Sequence, residues 1–237
     1  MESSNLLGAK NQWMMRRAIS VAVVAVSMSA VSMAYAAGGG SMSGGGNAEM
    51  PEKRMSPEEQ AVVAYNAGVR KLKDAAEYEQ DAAQAADTKK IAKATDKAKK
   101  SYERAFKDFS RATDYVPTMH EAWNYVGFTQ RHLGKYDASL AAYAKALQLK
   151  PNYPEAIEYR GEAYLGLNAI DDAKKAFLAL ARTSPALAGQ LMKAMEKWIA
   201  QKRDNPSGID PTTLQAFEVW TKEQSSTALS AAALSRW

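Results

Sequence analysis

The residue types that most often carry chemistry are few in this chain and stand apart. His120 and His132 are twelve residues apart, and at about 100° per residue that separation does not make the i, i+4 pair that holds a metal on a helix. Cysteine is absent, which removes disulfides, thiolate metal sites and a cysteine nucleophile together. Carboxylates are plentiful but form no constellation distinct from surface charge, and no nucleophile motif appears. Two glycine triplets, Gly38 to Gly40 and Gly44 to Gly46, lack the Lys-Ser or Lys-Thr that ends a phosphate-binding loop. Met42, Met50 and Met55 offer soft ligands, but a polar linker is the simpler reading of that stretch. The expectation is a chain with no catalytic residue, no metal and no cofactor, and therefore not an enzyme.

What the chain does have is a period. Pro117, Pro151 and Pro185 are 34 residues apart, as are Phe109, Tyr143 and Phe177. Gly127 and Gly161 share that spacing, and Ala112 and Ala146 mark the same phase. A fixed period of this size signals stacked helical hairpins, each able to bury its apolar face only against its neighbours.

The residues in that pattern also carry a likeness. Trp123, Gly127, Phe128, Tyr143, Ala146 and Pro151, then Ala156, Gly161, Tyr164, Ala173, Phe177 and Pro185, resemble the tetratricopeptide repeat over roughly residues 57–187. The resemblance implies an all-α, right-handed helical solenoid of about three hairpins, closed by C-terminal capping helices. It also implies a concave face, lined by the first helix of each hairpin, that takes a peptide or a partner helix. Ile157, Arg160 and Leu180 depart from the family pattern in the last unit, which predicts weaker packing there or an Arg160 facing solvent or a partner.

The 237 residues, 46% of them apolar, are enough for a real core. The net charge of +5 owes part of its excess to Lys10, Arg16 and Arg17 against the single Glu2. Without residues 1–36 the balance is ordinary, which argues against a nucleic-acid partner.

Those residues read as an address. Lys10 to Arg17 is positively charged, residues 18–33 are apolar apart from serines, and Ala34-Tyr35-Ala36 is an A-x-A cleavage site. The sixteen-residue apolar run is short of the roughly 20 residues that span a bilayer. The expectation is a signal peptide over 1–36 cut after Ala36, export to the periplasm or beyond, and no stable membrane anchor afterwards. Residues 37–56 follow as a Gly/Ser-rich flexible linker.

Order is predicted to begin at Ser56-Pro57-Glu58-Glu59, a helix cap with Glu59 closing a capping box. Residues 57–119 form a first, degenerate unit: Ala67-Gly68 matches its first helix, and Phe109, Ala112 and Pro117 its second. Gly68 to Gly127 is 59 residues where 34 suffice, and the excess of 25 is about seven helical turns. A near-integral number of turns keeps both helices in phase, so the insertion lengthens both arms of one hairpin, with Asp87 capping the returning arm. Asp74, Glu77, Glu79 and Asp81 make the outgoing arm acidic, and Lys89, Lys90, Lys93, Lys97, Lys99 and Lys100 make the returning arm basic. Folding about Asp87 predicts pairing of Glu77 with Lys97 and Asp81 with Lys93. The simplest reading of the lysines is a solvated face paired to its own hairpin; a landing site for an acidic partner is the alternative.

Units over 120–153 and 154–187 follow. Trp123 is expected to be buried, Gly127 to admit a neighbouring helix, and Asp137 to cap the helix that ends at Leu149. By the resemblance the groove carries Tyr65, Val69, Asn124, Phe128, Arg131, Glu158 and Glu162, apolar at one end and acidic at the other. That suits an amphipathic or basic peptide, and Tyr65 and Val69 stand where a clamp for a partner's C-terminal carboxylate needs polar side chains. Residues 188–224 read as capping helices with Leu191, Met195, Trp198, Leu214, Phe217 and Trp220 inward; 225–237 is an unplaced tail. The function this predicts is a non-enzymatic periplasmic scaffold that binds an envelope protein or peptide in the groove. The alternatives are a homo-oligomer joined through the long hairpin, or an accessory that positions a cell-envelope or secretion enzyme.

Overall fold

The computed structural model describes residues 55–234, and the surroundings of side chains up to Ser226. The expected signal peptide, its cleavage site and all but the end of the linker lie outside the described residues. Within them are eight helices, α1 (Pro57–Gln84), α2 (Thr88–Tyr115), α3 (His120–His132), α4 (Tyr136–Leu149), α5 (Pro154–Gly166), α6 (Ile170–Thr183), α7 (Pro185–Asp204) and α8 (Pro211–Leu234).

Local chemistry sets most of the ends. Ser56 Oγ accepts from the Glu59 N–H, and Glu59 Oε2 accepts from the Ser56 N–H at 2.8 Å, so the capping box is complete. Asp87 accepts from the backbone N–H groups of Lys89 and Lys90 and caps α2. Only residues 85–87 separate α1 from α2, and each of these helices has 28 residues against 13 and 14 in the next two hairpins. The extra residues therefore lengthen both arms, as the count of turns predicts.

Other local expectations fail. Asp137 is not a cap: α4 begins at Tyr136 after Lys135, with no side chain bonded to its first turn. Gly134 at φ 73° turns the chain back there, and the Lys135 N–H reaches the Gln130 carbonyl. Glu77 does not pair with Lys97, nor Asp81 with Lys93; Lys97 Nζ sits 4.9 Å from the centre of the Tyr78 ring instead. Trp123 is half-buried, its indole N–H donating to the Pro117 carbonyl at 2.8 Å. The alanine-rich segment left unplaced beyond Gln224 continues α8 to Leu234, consistent with alanine's helix propensity.

Consecutive helices pack as hairpins, and the odd-numbered ones also touch across the array, α3 on α5 and α5 on α7. The first helices thus form an inner layer and the second helices an outer one, the arrangement of an all-α solenoid built of repeats. Glycine sits where that layering is tightest. A Cβ on Gly68 would lie 2.8 Å from the Phe109 ring, and one on Gly127 would lie 2.6 Å from the Tyr143 ring. Phe109 and Tyr143 are one period apart, so the 34-residue spacing reports one contact made twice.

Two clusters divide the core. The first joins α1 to α4 through Tyr65, Leu72, Tyr102, Phe109, Tyr125 and Phe128. The second joins α5 to α8 through Leu165, Leu180, Leu191, Met195, Trp198 and Phe217. In the third hairpin the pattern changes hands: Gly161 faces Leu191 of α7, while the Phe177 ring meets Trp220 edge-on at 5.5 Å. Leu180, a departure from the family pattern, is fully buried in this second cluster. Arg160, another departure, lies half-buried with its guanidinium 5.9 Å from the Tyr164 ring centre. Of the described helices, none is long and apolar enough to cross a membrane.

Candidate functional site

The seven groove residues expected from the sequence fall on the inner layer, on α1, α3 and α5, but their side chains are largely enclosed. Tyr65, Val69, Asn124 and Phe128 are buried, and Glu158 is fully so. The reason is aromatic crowding. Tyr65 packs edge-on against Phe109 and Tyr125, and Phe128 lies between Tyr125 and Tyr159, with His132 at 4.4 Å. Arg131 and Glu162 are the two that remain partly accessible, with side chains 15% and 12% exposed.

Those two form the centre of a charged line. Arg131 Nη1 reaches Glu162 Oε2 at 2.6 Å, tying α3 to α5. The guanidinium also lies over the rings of Phe128 and Tyr159, 5.3 and 5.9 Å from their centres. Burial alone disfavours its charge, yet Glu162 foremost, with Tyr143 and Glu158, outweighs that and raises the pKa of Arg131 above its ordinary value. Glu158, wholly enclosed, thus acts on the same cation from below.

Sequence reasoning missed the other end of the line. His132, the last residue of α3, stacks on Tyr102 of α2 at 4.3 Å between ring centres. Its Nε2 is 3.3 Å from Arg131 Nη2, and its Nδ1 is 3.4 Å from Glu79 Oε1 on α1. A guanidinium can only donate, so Nε2 must accept and the proton belongs on Nδ1, pointing at Glu79. The imidazole is therefore neutral here. Burial and the Arg131 charge push its pKa below the usual histidine value, against the pull of Glu79. Glu79 accepts a second bond, from the Tyr102 hydroxyl at 2.9 Å. Burial favours its neutral acid, but the bonds from His132 and Tyr102 and the Arg131 charge prevail and hold the carboxyl below its ordinary range.

A signal for this end does exist in the sequence. Tyr102 and Tyr136 are 34 apart, and so are His132 and Gly166. Tyr136 of α4 lies against Gly166 of α5, so close that a Cβ there would collide with the ring. The Tyr102–His132 stack is the same joint one repeat earlier. His120, at the opposite end of α3, lies 3.1 Å from the Glu121 carboxylate and meets Tyr153 edge-on, far along the helix from His132.

Glu79, His132, Arg131 and Glu162 thus cross the first helices of three successive hairpins. They are joined by the Glu79–His132, His132–Arg131 and Arg131–Glu162 contacts. No group of histidines and carboxylates among the described residues could hold a metal. The family model of the TPR repeat matches residues 131–168, from Arg131 through α4 and α5 to Asn168. That stretch holds the second helix of one hairpin and the first of the next, and the Arg131–Glu162 pair joins its beginning to a point near its end. No curated protein matches the chain.

Proposed function

We propose that this chain, built of tetratricopeptide repeats, is a non-enzymatic scaffold that holds an envelope protein or peptide against the inner layer of its array. The observation that carries this reading is the charged line from Glu79 to Glu162, set on three consecutive first helices and only partly covered. With Arg131 already neutralised by Glu162 and with Glu79 ionised, the line is acidic on balance. A basic or amphipathic segment complements it better than an acidic one. The aromatic filling beneath leaves no deep slot, so recognition is by edges of side chains along a shallow face. Residues 1–36 would carry the chain out of the cytoplasm, to the periplasm or beyond.

In-cell photo-crosslinking tests this, with the reactive residue placed at exposed Glu155 on α5, one turn before Glu158, and as a control at exposed Leu178 on α6. A discrete adduct to another protein from Glu155 alone is expected, weakened when Arg131→Glu and Glu162→Arg exchange the charges of the central pair. Equal adducts from both sites, or adducts only to a second copy of the chain, would overturn it.

A further inference from the structure

The basic arm of the long hairpin is only partly neutralised. Thr88–Tyr115 holds nine lysines and arginines against four acidic residues. Six of the cations, Lys89, Lys93, Lys97, Lys100, Arg104 and Lys107, recur at steps of four, four, three, four and three, and all are exposed. That spacing keeps them on one face of α2 over eighteen residues, about 27 Å at 1.5 Å per residue. The buried residues Ala94, Ala98, Tyr102, Ala105 and Phe109 occupy the opposite side, so the line points away from the array.

Pairing of these lysines with the acidic arm, which folding about Asp87 predicts, is not what the structure contains. Lys100 pairs with Asp96 of its own helix, and Lys97 rests on Tyr78. Among the described residues Lys89, Lys93, Arg104 and Lys107 make no ion pair; of the acids of α1, Asp74 pairs with Lys71 and Glu79 turns inward to Tyr102 and His132.

We infer that this face is a reversible, peripheral docking surface for an anionic lipid membrane. The face is predominantly cationic, with Asp96 held by Lys100 and Glu103 at its margin, and its cations lie on one side of a single helix, so they can approach a flat anionic plane together. A duplex curves away from a straight rod, and an acidic peptide would find no slot for its side chains. Basic side chains near such a surface act roughly additively and are screened by salt. The choice of a lipid anion rests on the export reading of residues 1–36, which delivers the chain to a bilayer; adsorption to vesicles is measured in vitro and does not depend on where the chain resides.

The test is co-sedimentation of the full chain with phosphatidylglycerol–phosphatidylcholine vesicles at low salt. Three proteins are compared: the parent, a line variant (Lys89→Glu, Lys93→Glu, Lys107→Glu) and a control of equal net charge (Lys135→Glu, Arg182→Glu, Lys197→Glu). The apolar run at residues 18–33 is common to all three, so it cancels. At about fivefold per cation, the line variant should bind about a hundredfold more weakly than the control, and salt should erase the difference. Lys→Gln at the same three positions, with helicity checked by circular dichroism, should give a smaller loss of the same sign. Equal binding by line variant and control would overturn the inference, as would a line effect on duplex DNA retention with none on vesicles.

Discussion

The array has two joints at which a tyrosine of an outer helix meets the end of the next inner helix. At the first, Tyr102 stacks on an imidazole; at the second, Tyr136 lies against a glycine. The geometry repeats but the chemistry does not. Where the ring meets His132, the joint draws in Glu79 from the long hairpin and Arg131 from its own helix, and becomes polar and able to titrate. Where it meets Gly166, backbone and ring simply touch. One repeat template therefore supports either a polar latch or a plain packing contact, and the residue at that single position selects between them.

The comparison can be broken most severely at Arg131. Arg131→Met leaves Glu162 and the enclosed Glu158 without their cation, which should cost about 3 kcal/mol in urea unfolding. Adding Glu162→Leu should recover part of that loss, and a single-variant cost below about 1 kcal/mol would show the latch to be ornamental. At the plain joint, Gly166→Val drives a side chain into Tyr136 and should cost about 2 kcal/mol, by the same amount at every pH. The smallest effect separates the joints by titration. His132 has a lower pKa folded than unfolded, so its contribution is fully present above about pH 6.5 and is lost as pH falls from there toward the folded value. In His132→Gly, which turns the first joint into the second, stability between neutral pH and pH 5 should flatten relative to the parent. An unchanged slope would place the titration elsewhere, His120 being the other histidine whose pKa burial lowers.

What the sequence revealed follows from how far each interaction reaches. Ser56 with Glu59, and Asp87 with the two residues after it, act within one turn and are legible from residue types alone. The 34-residue period carried the Gly127–Tyr143 contact, because a repeated contact leaves a repeated residue. The lengthened hairpin followed from counting turns. Asp137 misled because α4 begins one residue before it, at Tyr136, which puts its carboxylate inside the first turn and not at the cap position. The expected groove residues lie on α1, α3 and α5, but their enclosure depends on Tyr102, Tyr125, Tyr143 and Tyr159 converging from different hairpins, which no single unit encodes. Glu79 was hidden among four acids of one arm, and only the depth of the hairpin shows which of them turns inward.

The two matched joints also govern how the molecule can change in length. A second copy of residues 120–153 inserted after Tyr153 would offer its own His132 to the Tyr136 before it, the ring pairing that Tyr102 already makes, and its Gly127 would be covered by its own Tyr143. The third unit has no such freedom, because Gly161 is occupied by Leu191 and Phe177 by Trp220, partners that lie beyond Pro185. Growth by duplication is thus open in the middle of the array and closed at its C-terminal end.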